Sequence, residues 1–326
     1  MRYHYISDSH VHSDCSFDGT DPVMMICERA AALGLYSIAV TDHCECDIYY
    51  KEGFDRSVVQ SFFETRKARA VFYGRLQVYA GIELGQPNQD PDSAALALEG
   101  RDYDFVIGSI HNIRGYEDFF YLDYSQVEPG FIDALLTTYW EEEREVIAWG
   151  QFDALGHLTY PLRYIEGDHG IPVDLSKHQE AIDGIFRALI DSGKALEVNT
   201  SGLRQKIGRA LPDLPLVRRY RELGGELVTL GSDAHCVEDL ARALKRAWTC
   251  CGRRDSAALP CTSSTSPFCC RCSNWGGFHG WIGSYRTGNR AKVGTYMAME
   301  HLLEILQDQA NLTTSQLAAM LGEKEE

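Results

Sequence analysis

Seven short apolar segments lie between longer amphipathic ones in the first 235 residues, and each carries a histidine, a carboxylate or an asparagine near its end. They are HYISDSHVH at 4–12, YSIAVTDH at 36–43, LQVYAGIELG at 76–85, YDFVIGSIH at 103–111, FDALGHL at 152–158, ALEVNTSG at 195–202 and ELVTLGSDAH at 226–235. Helical patterns lie between most of them, at 21–35, 54–73, 131–149, 176–192 and 214–224. This alternation predicts βα units and a parallel sheet.

The polar residues at the segment ends decide between an open sheet and a closed barrel. They are His10, His12, Asp42, His43, Glu83, His111, His157, Asn199, Asp233 and His235. A βα barrel brings the C-terminal ends of all its strands to one rim, whereas an open sheet spreads them along a line. The sequence therefore predicts an α/β barrel with a site at the C-terminal ends of its strands. No G-x-G-x-x-G or P-loop pattern follows any strand.

The histidines favour a metal site at this rim. A single histidine at a strand end is usually an ordinary hydrogen-bonded residue, but six of the 11 histidines lie at predicted strand ends. In the first strand, His10 and His12 project from one face because side chains alternate with a period of two. The remaining five are interpreted as structural: His4, His169, His178, His279 and His301.

The number and type of these ligands predict the cofactor. Seven or more nitrogen and oxygen ligands exceed the roughly four that one zinc ion takes, so we expect two or three divalent ions that share bridging carboxylates. No cysteine lies among the strand ends, which favours Zn, Mn or Fe over softer metals. Ions about 4 Å apart activate water and stabilise both the attacking and the leaving oxygen. Phosphate ester hydrolysis needs this most, although amide hydrolysis also uses such sites.

The composition limits the classes of molecule that the chain is expected to bind. The net charge of −16 argues against binding to a nucleic-acid backbone or an anionic membrane. A local cation cluster or a metal site could still hold a small phosphorylated substrate. The first residues have no apolar signal-peptide core and no run approaches a membrane span, which predicts a cytoplasmic protein. The sequence predicts no particular oligomeric state. Five scattered cysteines are expected to be free thiols: Cys15, Cys27, Cys44, Cys46 and Cys236.

The order of the short motifs carries a family resemblance. DSHVH at 8–12, TDH at 41–43, GIELG at 81–85, GSIHN at 108–112, GHL at 156–158 and GSDAH at 231–235 resemble the motifs of the polymerase-and-histidinol-phosphatase (PHP) superfamily. The similarity is greatest to its histidinol-phosphatases and covers residues 1 to about 245. It implies a distorted (β/α)7 barrel, a trinuclear metal centre and hydrolysis of L-histidinol phosphate to L-histidinol and phosphate in histidine synthesis. The alternatives are a PHP phosphoesterase for nucleotides or nucleic-acid ends, and an inactive metal-binding homologue.

The resemblance also implies roles for individual residues. The first ion would be held by His10, His12, Glu83 and Asp233, the second by Glu83, His111 and His157, and the third by Asp18, His43 and His235. Asp18 lies in a predicted loop, SDCSFDG, where the alternative to a ligand is a turn-forming aspartate. Arg163 and Arg204 each follow a strand end by about half a dozen residues and would bind the phosphate.

Chemical reasoning from these residues predicts that the proton donor lies at the end of the last strand. Water activated by the ions would attack phosphorus, and Asp233 or His235, through a bound water, would supply the proton for the leaving alkoxide. Asp8 is predicted to orient one of the imidazoles from outside the ligand set.

The sequence changes character after the barrel domain predicted at 1–245. Residues 246–292 contain six cysteines, and between 250 and 292 there are six Lys or Arg and one acidic residue. Three interpretations compete: a zinc knuckle using Cys269 and Cys272, a disordered insertion, or translation in the wrong reading frame, which the abrupt change favours. The resemblance implies that this region normally completes the barrel. The tail at 293–326 has a helical, amphipathic pattern.

Overall fold

Seven parallel strands form the central sheet of the protein, which we analysed as a computed structural model. The structure describes residues 6–125, 127–128, 130–242 and 244, together with the backbone of 282–287 and 290–295. The strands follow the order β1 (Ser7–Val11), β2 (Ser37–Val40), β4 (Gln77–Gly85), β5 (Phe105–Ser109), β6 (Ala154–Leu155), β7 (Ala195–Asn199) and β8 (Val228–Gly231). A short β3 (His43–Glu45) continues β2 along the edge of β4.

The two ends of this sheet meet and nearly close it into a barrel. Val11 at the end of β1 forms a parallel bridge with Ala234, just beyond β8. The N–H of His12 donates to the carbonyl oxygen of Ala234 at 2.9 Å, and the N–H of Asp233 donates to that of His10 at 2.8 Å. The distorted, TIM-barrel-like (β/α)7 fold predicted from the sequence is confirmed. All seven strands of the barrel lie between residues 7 and 231.

Side chains inside the barrel change from apolar to polar along the strands. Ala195, Glu197 and Asn199 share one face of β7, and Phe105, Ile107 and Ser109 share one face of β5. The residues at the N-terminal end pack into a small apolar cluster: Ala39, Phe105, Ile107, Ala154 and Ala195. The polar residues follow at the C-terminal end. The interior is therefore filled at one end and offers a polar site at the other.

Helices cover the outside of the barrel. They are α1 (Val23–Leu33), α2 (Phe54–Val71), α3 (Pro91–Leu98), α4 (Phe131–Trp149), α5 (Tyr160–Leu162), α6 (Gln179–Asp191) and α7 (Leu214–Glu222). The five predicted helices are present, and α3 and α5 are additional short ones. Asp90 caps α3 by accepting from the N–H of Ser93, and Asp213 caps α7 by accepting from the N–H of Leu216. Gly34 ends α1 in the left-handed conformation.

The main core lies between the barrel and this helical layer. α6 contributes Ile182, Ile185, Phe186 and Leu189, which are buried at the spacing of one helix face. Burial of aliphatic and aromatic side chains on this scale holds the strands in place. The packed strands therefore fix the positions from which the polar side chains of the barrel rim project.

Short turns and the C-terminal region complete the description. 3₁₀ turns occupy Cys46–Ile48, Leu175–His178 and Ser201–Arg204, and a π-helical turn spans Arg163–Asp168. An antiparallel pair, β9 (Ile282–Thr287) and β10 (Arg290–Thr295), lies late in the chain. The rest of 246–292 and the predicted helical tail beyond 295 lie outside the described residues. The five expected free thiols are free. No helix in the described part of the chain is both long and apolar enough to span a membrane.

Candidate metal centre

Glu83 lies at the middle of the polar end of the barrel, on β4. Its side chain is fully buried, and its two carboxylate oxygens face different groups of imidazoles. Oε2 lies 3.3 Å from His10 Nε2 and 2.9 Å from His43 Nδ1. Oε1 lies 2.9 Å from His157 Nε2 and accepts a hydrogen bond from Ser109 Oγ at 2.7 Å. A carboxylate in this position can bridge two cations.

The first predicted ligand set converges on Glu83 Oε2. His10 Nε2 and His12 Nε2 are 3.0 Å apart, and His12 Nε2 lies 3.6 Å from Glu83 Oε2. Asp233 Oδ1 lies 3.8 Å from His10 Nε2 and 3.4 Å from His12 Nε2. Asp233 has φ 53°, a left-handed conformation that residues other than glycine rarely adopt. Such backbone strain is typical of residues held in place for function.

The second predicted set converges on the other oxygen of the same carboxylate. His111 Nε2 lies 3.3 Å from both Glu83 Oε1 and His157 Nε2. On the far side of the ring, His111 Nδ1 lies 3.0 Å from Oε1 of Glu45, which ends β3. Glu45 therefore orients His111 so that Nε2 points toward Glu83.

The third predicted set lies at the outer edge of the centre. Asp18 Oδ2 is 3.1 Å from His235 Nε2, and Asp18 Oδ1 is 3.7 Å from His43 Nε2. Asp18 and His235 have side chains that are 42% and 29% exposed, in contrast to the buried residues of the other two sets. The ring of His12 stacks between those of His43 and His235, at centroid distances of 4.1 and 4.2 Å.

Among the residues that the structure describes, three groups of side chains place their ligand atoms close enough to share a cation. They are His12, His43 and His235; His10, His12 and Glu83; and His43, Glu83 and His111. These groups cut across the three ligand sets implied by the family resemblance, since His12 belongs to two of them. The predicted residues thus form one continuous cluster.

Carboxylates outside the ligand sets hold several imidazoles in place. Glu197 Oε1 lies 2.6 Å from His10 Nδ1, while its Oε2 accepts from the N–H of His157 at 2.8 Å. A Cβ at position 231 would collide with Glu197 and His10, so Gly231 allows this close approach. Asp8 was predicted to orient an imidazole, and that prediction is wrong. Its Oδ1 accepts from the N–H of Ser232 at 2.8 Å, and Glu197 takes the predicted role for His10.

His12 is oriented through a network of hydroxyl groups. Its Nδ1 lies 3.2 Å from Ser16 Oγ, which donates to Asp42 at 2.8 Å. Asp42 also accepts from the hydroxyl groups of Ser13 and Ser61 at 2.7 and 2.5 Å. Asp42, one of the polar strand ends noted in the sequence, therefore supports the loop that carries Asp18 rather than joining the cluster.

The electrostatics of the cluster follow from carboxylates and imidazoles buried together. Burial raises the pKa of Glu83, but the charges of His10, His111 and His43 outweigh it and hold this pKa well below its usual range. Burial lowers the pKa values of His10, His43 and His111, yet the neighbouring carboxylates raise all three well above their usual range. The cluster therefore requires positive charge, which divalent cations can supply in place of protons.

The ligand atoms fit divalent cations. In the first set they lie 3.0–3.8 Å apart, close to the roughly 3.4 Å between ligands around a zinc ion with bonds near 2.1 Å. Glu83 Oε2 is buried without a hydrogen-bond partner among the described residues. Burial and the charges of His43 and His235 hold the pKa of His12 well below its usual range, which favours the neutral imidazole that metals bind.

The two predicted arginines lie beside Asp233. Arg163 Nη2 donates to Asp233 Oδ2 at 3.0 Å and to Ser201 Oγ at 2.7 Å, while its buried Nε has no hydrogen-bond partner in the described part of the chain. Arg204 donates to the carbonyl oxygens of Ser232 and Asp233 at 2.9 and 3.3 Å. Since each Nη carries two hydrogens, one N–H remains on each Nη of Arg204 for an anion.

Sequence reasoning missed Glu45 and Glu197. Glu197 could have been found, because strand alternation places it on the same face as Asn199 and a carboxylate within ALEVN is unusual for a buried strand. Asn199 itself donates to Asp233 Oδ2 at 3.2 Å and so supports that carboxylate. Glu45 follows the strand break at 41–42, and no pattern in the sequence indicated a third strand there.

Comparisons with known proteins agree with this geometry. A family model described as the PHP domain matches residues 8–201. A probable histidinol-phosphatase of Thermotoga maritima is 30% identical over 241 residues, which cover 73% of this chain and 88% of that protein. The histidinol-phosphatase of Lactococcus lactis is 28% identical over 241 residues, covering 71% of this chain and 84% of that protein.

Two solved structures share the fold. The histidinol phosphate phosphatase of Lactococcus lactis, complexed with zinc, L-histidinol and phosphate, aligns with a TM-score of 0.58 and 23% identity over 74% of this chain and 91% of that one. A putative histidinol phosphatase from Listeria monocytogenes aligns with a TM-score of 0.60 and 17% identity over 73% and 98% of the two chains.

Proposed function

The chain belongs to the PHP domain family, and on that premise we propose that it is a metal-dependent phosphomonoesterase that hydrolyses L-histidinol phosphate to L-histidinol and phosphate. The observation that carries this proposal is the position of Glu83, whose two oxygens face separate imidazole groups in a buried cluster at the barrel rim. The substrate is supported by the relatives at up to 30% identity that are named histidinol-phosphatases.

Nine residues would hold two or three divalent ions: His10, His12, Asp18, His43, Glu83, His111, His157, Asp233 and His235. Zinc is one candidate, alongside manganese and iron, since the Lactococcus lactis protein was solved with zinc. When bound, such ions lower the pKa of a coordinated water and balance negative charge on the phosphoryl oxygens.

Arg163 and Arg204 would position the phosphate group. The unpartnered Nε of Arg163 is a buried donor next to the cluster, and a phosphate oxygen would satisfy it. Its Nη2 is fixed by Asp233 and Ser201, so the guanidinium is held ready before substrate arrives. Arg204 is held by two carbonyl oxygens of the loop that carries Asp233, and its remaining N–H groups would reach the same anion.

The leaving alkoxide would receive its proton at the exposed side of the centre. Burial raises the pKa of Asp233, but His10, His12 and Arg163 outweigh it and hold this pKa well below its usual range, so the residue is a poor proton donor by itself. His235 is partly exposed and its Nδ1 donates to the carbonyl oxygen of Asp233 at 3.1 Å. We infer that a water held between these two residues delivers the proton.

Phosphate release tests the proposal. The metal-loaded protein should release phosphate from L-histidinol phosphate faster than from glycerol phosphate, mononucleotides or dinucleotides. A chelator should abolish release, and added Zn²⁺ or Mn²⁺ should restore it. Activity that survives complete metal removal would contradict the mechanism. A preference for nucleotides would instead contradict the substrate and favour a nucleotide phosphoesterase.

A further inference from the structure

A carboxylate that forms no ion pair among the described residues lies beside the candidate metal centre. Asp118 belongs to the loop that follows β5, on the same rim as the ligands. It accepts from the N–H of Phe120 at 2.7 Å and from the hydroxyl group of Tyr160 at 3.2 Å. Within the described residues, no lysine, arginine or histidine forms an ion pair with it. Burial raises the pKa of Asp118 and outweighs the opposing charge of His111, with which it forms no ion pair.

Tyr160 connects this carboxylate to the centre. Its ring lies 5.0 Å from the ring of His111 and 4.9 Å from that of His157, measured between centroids. The guanidinium carbon of Arg163 lies 4.9 Å from the centroid of the same ring. One side chain thus has the proposed phosphate-binding groups around its ring and Asp118 at its hydroxyl group.

The charges around Tyr160 therefore have opposite signs at its two ends. Cations and Arg163 would attract a phosphate at the ring end, whereas Asp118 would attract a positive group at the hydroxyl end. Aromatic rings lie near Asp118, since Phe120 lies 5.7 Å and Tyr160 lies 5.2 Å from the ring of Tyr164, measured between centroids. Aromatic faces and a carboxylate together favour an organic cation.

We propose that Asp118 determines specificity by pairing with a cationic group on the alcohol part of the phosphate ester. This inference rests on the proposed phosphatase function and deepens it, because it restricts the substrate to a phosphate ester with a positive charge close to the ester bond. L-Histidinol phosphate carries an ammonium group and an imidazole that becomes cationic when it is protonated. A mononucleotide would place neutral or negative groups next to Asp118 and would bind poorly.

The variant Asp118→Asn tests this proposal against a matched control. Asp123→Asn changes an exposed aspartate in the same loop, which accepts from the N–H two residues further on as Asp118 does. Asp118→Asn should lower kcat/KM for L-histidinol phosphate roughly 10- to 100-fold through KM, the range expected for a hydrogen bond to a charged group. Turnover of glycerol phosphate should stay within about twofold, and Asp123→Asn should match the wild type.

Two further measurements separate the outcomes. An equal loss for glycerol phosphate, or no loss for L-histidinol phosphate, would overturn the inference. O-Phosphoethanolamine carries the ammonium group without the imidazole ring. If Asp118→Asn lowers kcat/KM for this ester, the ammonium is the partner of Asp118; if kcat/KM is unchanged, the imidazole is the partner. The affinity for L-histidinol can be measured by calorimetry without turnover. An affinity that is unchanged in Asp118→Asn would overturn the inference about Asp118. Absence of phosphate release by the wild type would refute only the phosphatase proposal.

Discussion

Two completely buried glutamates of this protein, Glu83 in the barrel and Glu143 on α4, have pKa values shifted in opposite directions. Burial raises the pKa of both, and for Glu143 it prevails, raising that pKa to about 8. Around Glu83 the charges of His10, His111 and His43 outweigh burial and hold its pKa well below the usual range. Burial alone therefore does not create the candidate metal centre. The imidazoles gathered on the strand ends do.

The same isosteric substitution should consequently have opposite effects in the two regions. In the centre, a glutamine removes a charge that several imidazoles and the proposed ions depend on. On α4 it removes only the group that ionises unfavourably, since neither oxygen of Glu143 has a hydrogen-bond partner among the described residues.

The largest effect is expected for Glu83→Gln. Loss of the bridging charge should release more than one ion per chain and lower kcat/KM by about a thousandfold, because bound ions supply several kcal/mol of transition-state stabilisation. Metal analysis by mass spectrometry and phosphate release measure both. Glu99→Gln, at an exposed position, is the control. If Glu83→Gln kept its full metal content, the charge of Glu83 would not be needed to hold the ions, and the proposed contrast with Glu143 would be wrong.

The exposed edge of the centre should be less critical. Asp18→Asn removes the carboxylate that faces His43 and His235. We expect loss of one ion, retention of the others, and activity lower on the order of a hundredfold, as when one electrostatic stabiliser is removed from an active site. Asp14→Asn, in the same loop and exposed, should retain activity and metal. If Asp18→Asn keeps its full metal content, Asp18 is the turn-forming residue that the sequence also allowed.

A smaller loss is expected for Glu197→Gln, which changes no proposed ligand. Glutamine preserves the shape but weakens the bond that orients His10, so metal affinity and activity should each fall about tenfold. Titration with a chelator measures the affinity, and excess metal should restore much of the activity. Rescue by metal distinguishes this variant from Glu83→Gln, whose activity should not return.

The sequence could bring the candidate ligands together only where their chemistry and the strand order coincide. His10, His111 and His157 stand at strand ends, and parallel strands in a barrel must bring those ends together. The supporting carboxylates were harder to predict, because what they do depends on distances between strands far apart in sequence. Glu197 is 187 residues from the imidazole that it orients.

Asp8 and Asp118 are two further residues whose contacts could not be predicted from the sequence. Asp8 lies beside His10 in sequence, but its carboxylate points to the N–H of Ser232, where β8 meets β1. Asp118 stands in a loop with no motif, and its position becomes informative only through the hydroxyl group of Tyr160, 42 residues away. Contacts made by loops and by neighbouring strands of the closed barrel are not encoded in any local pattern.

The smallest effect on activity, and a gain in stability, is expected for Glu143→Gln. In the folded protein this carboxyl keeps its proton up to a pH of about 8, whereas its ordinary value is 4.5. Between these values unfolding releases a proton, so rising pH favours the unfolded state and stability present below pH 4.5 is progressively lost. By pH 8 the loss amounts to about 4 kcal/mol, since each unit of difference corresponds to about 1.4 kcal/mol.

Glutamine cannot ionise, so the difference in unfolding free energy between Glu143→Gln and the wild type should grow from pH 5 to pH 8. The titrating groups of the metal centre are the same in both proteins, so their contribution to the pH dependence of the unfolding free energy cancels in this difference. Urea unfolding at several pH values measures it, with Glu141→Gln as the exposed control on the same helix. A difference that stays constant with pH would show that Glu143 ionises as easily in the folded chain as in the unfolded one, and burial would then not distinguish it from Glu83.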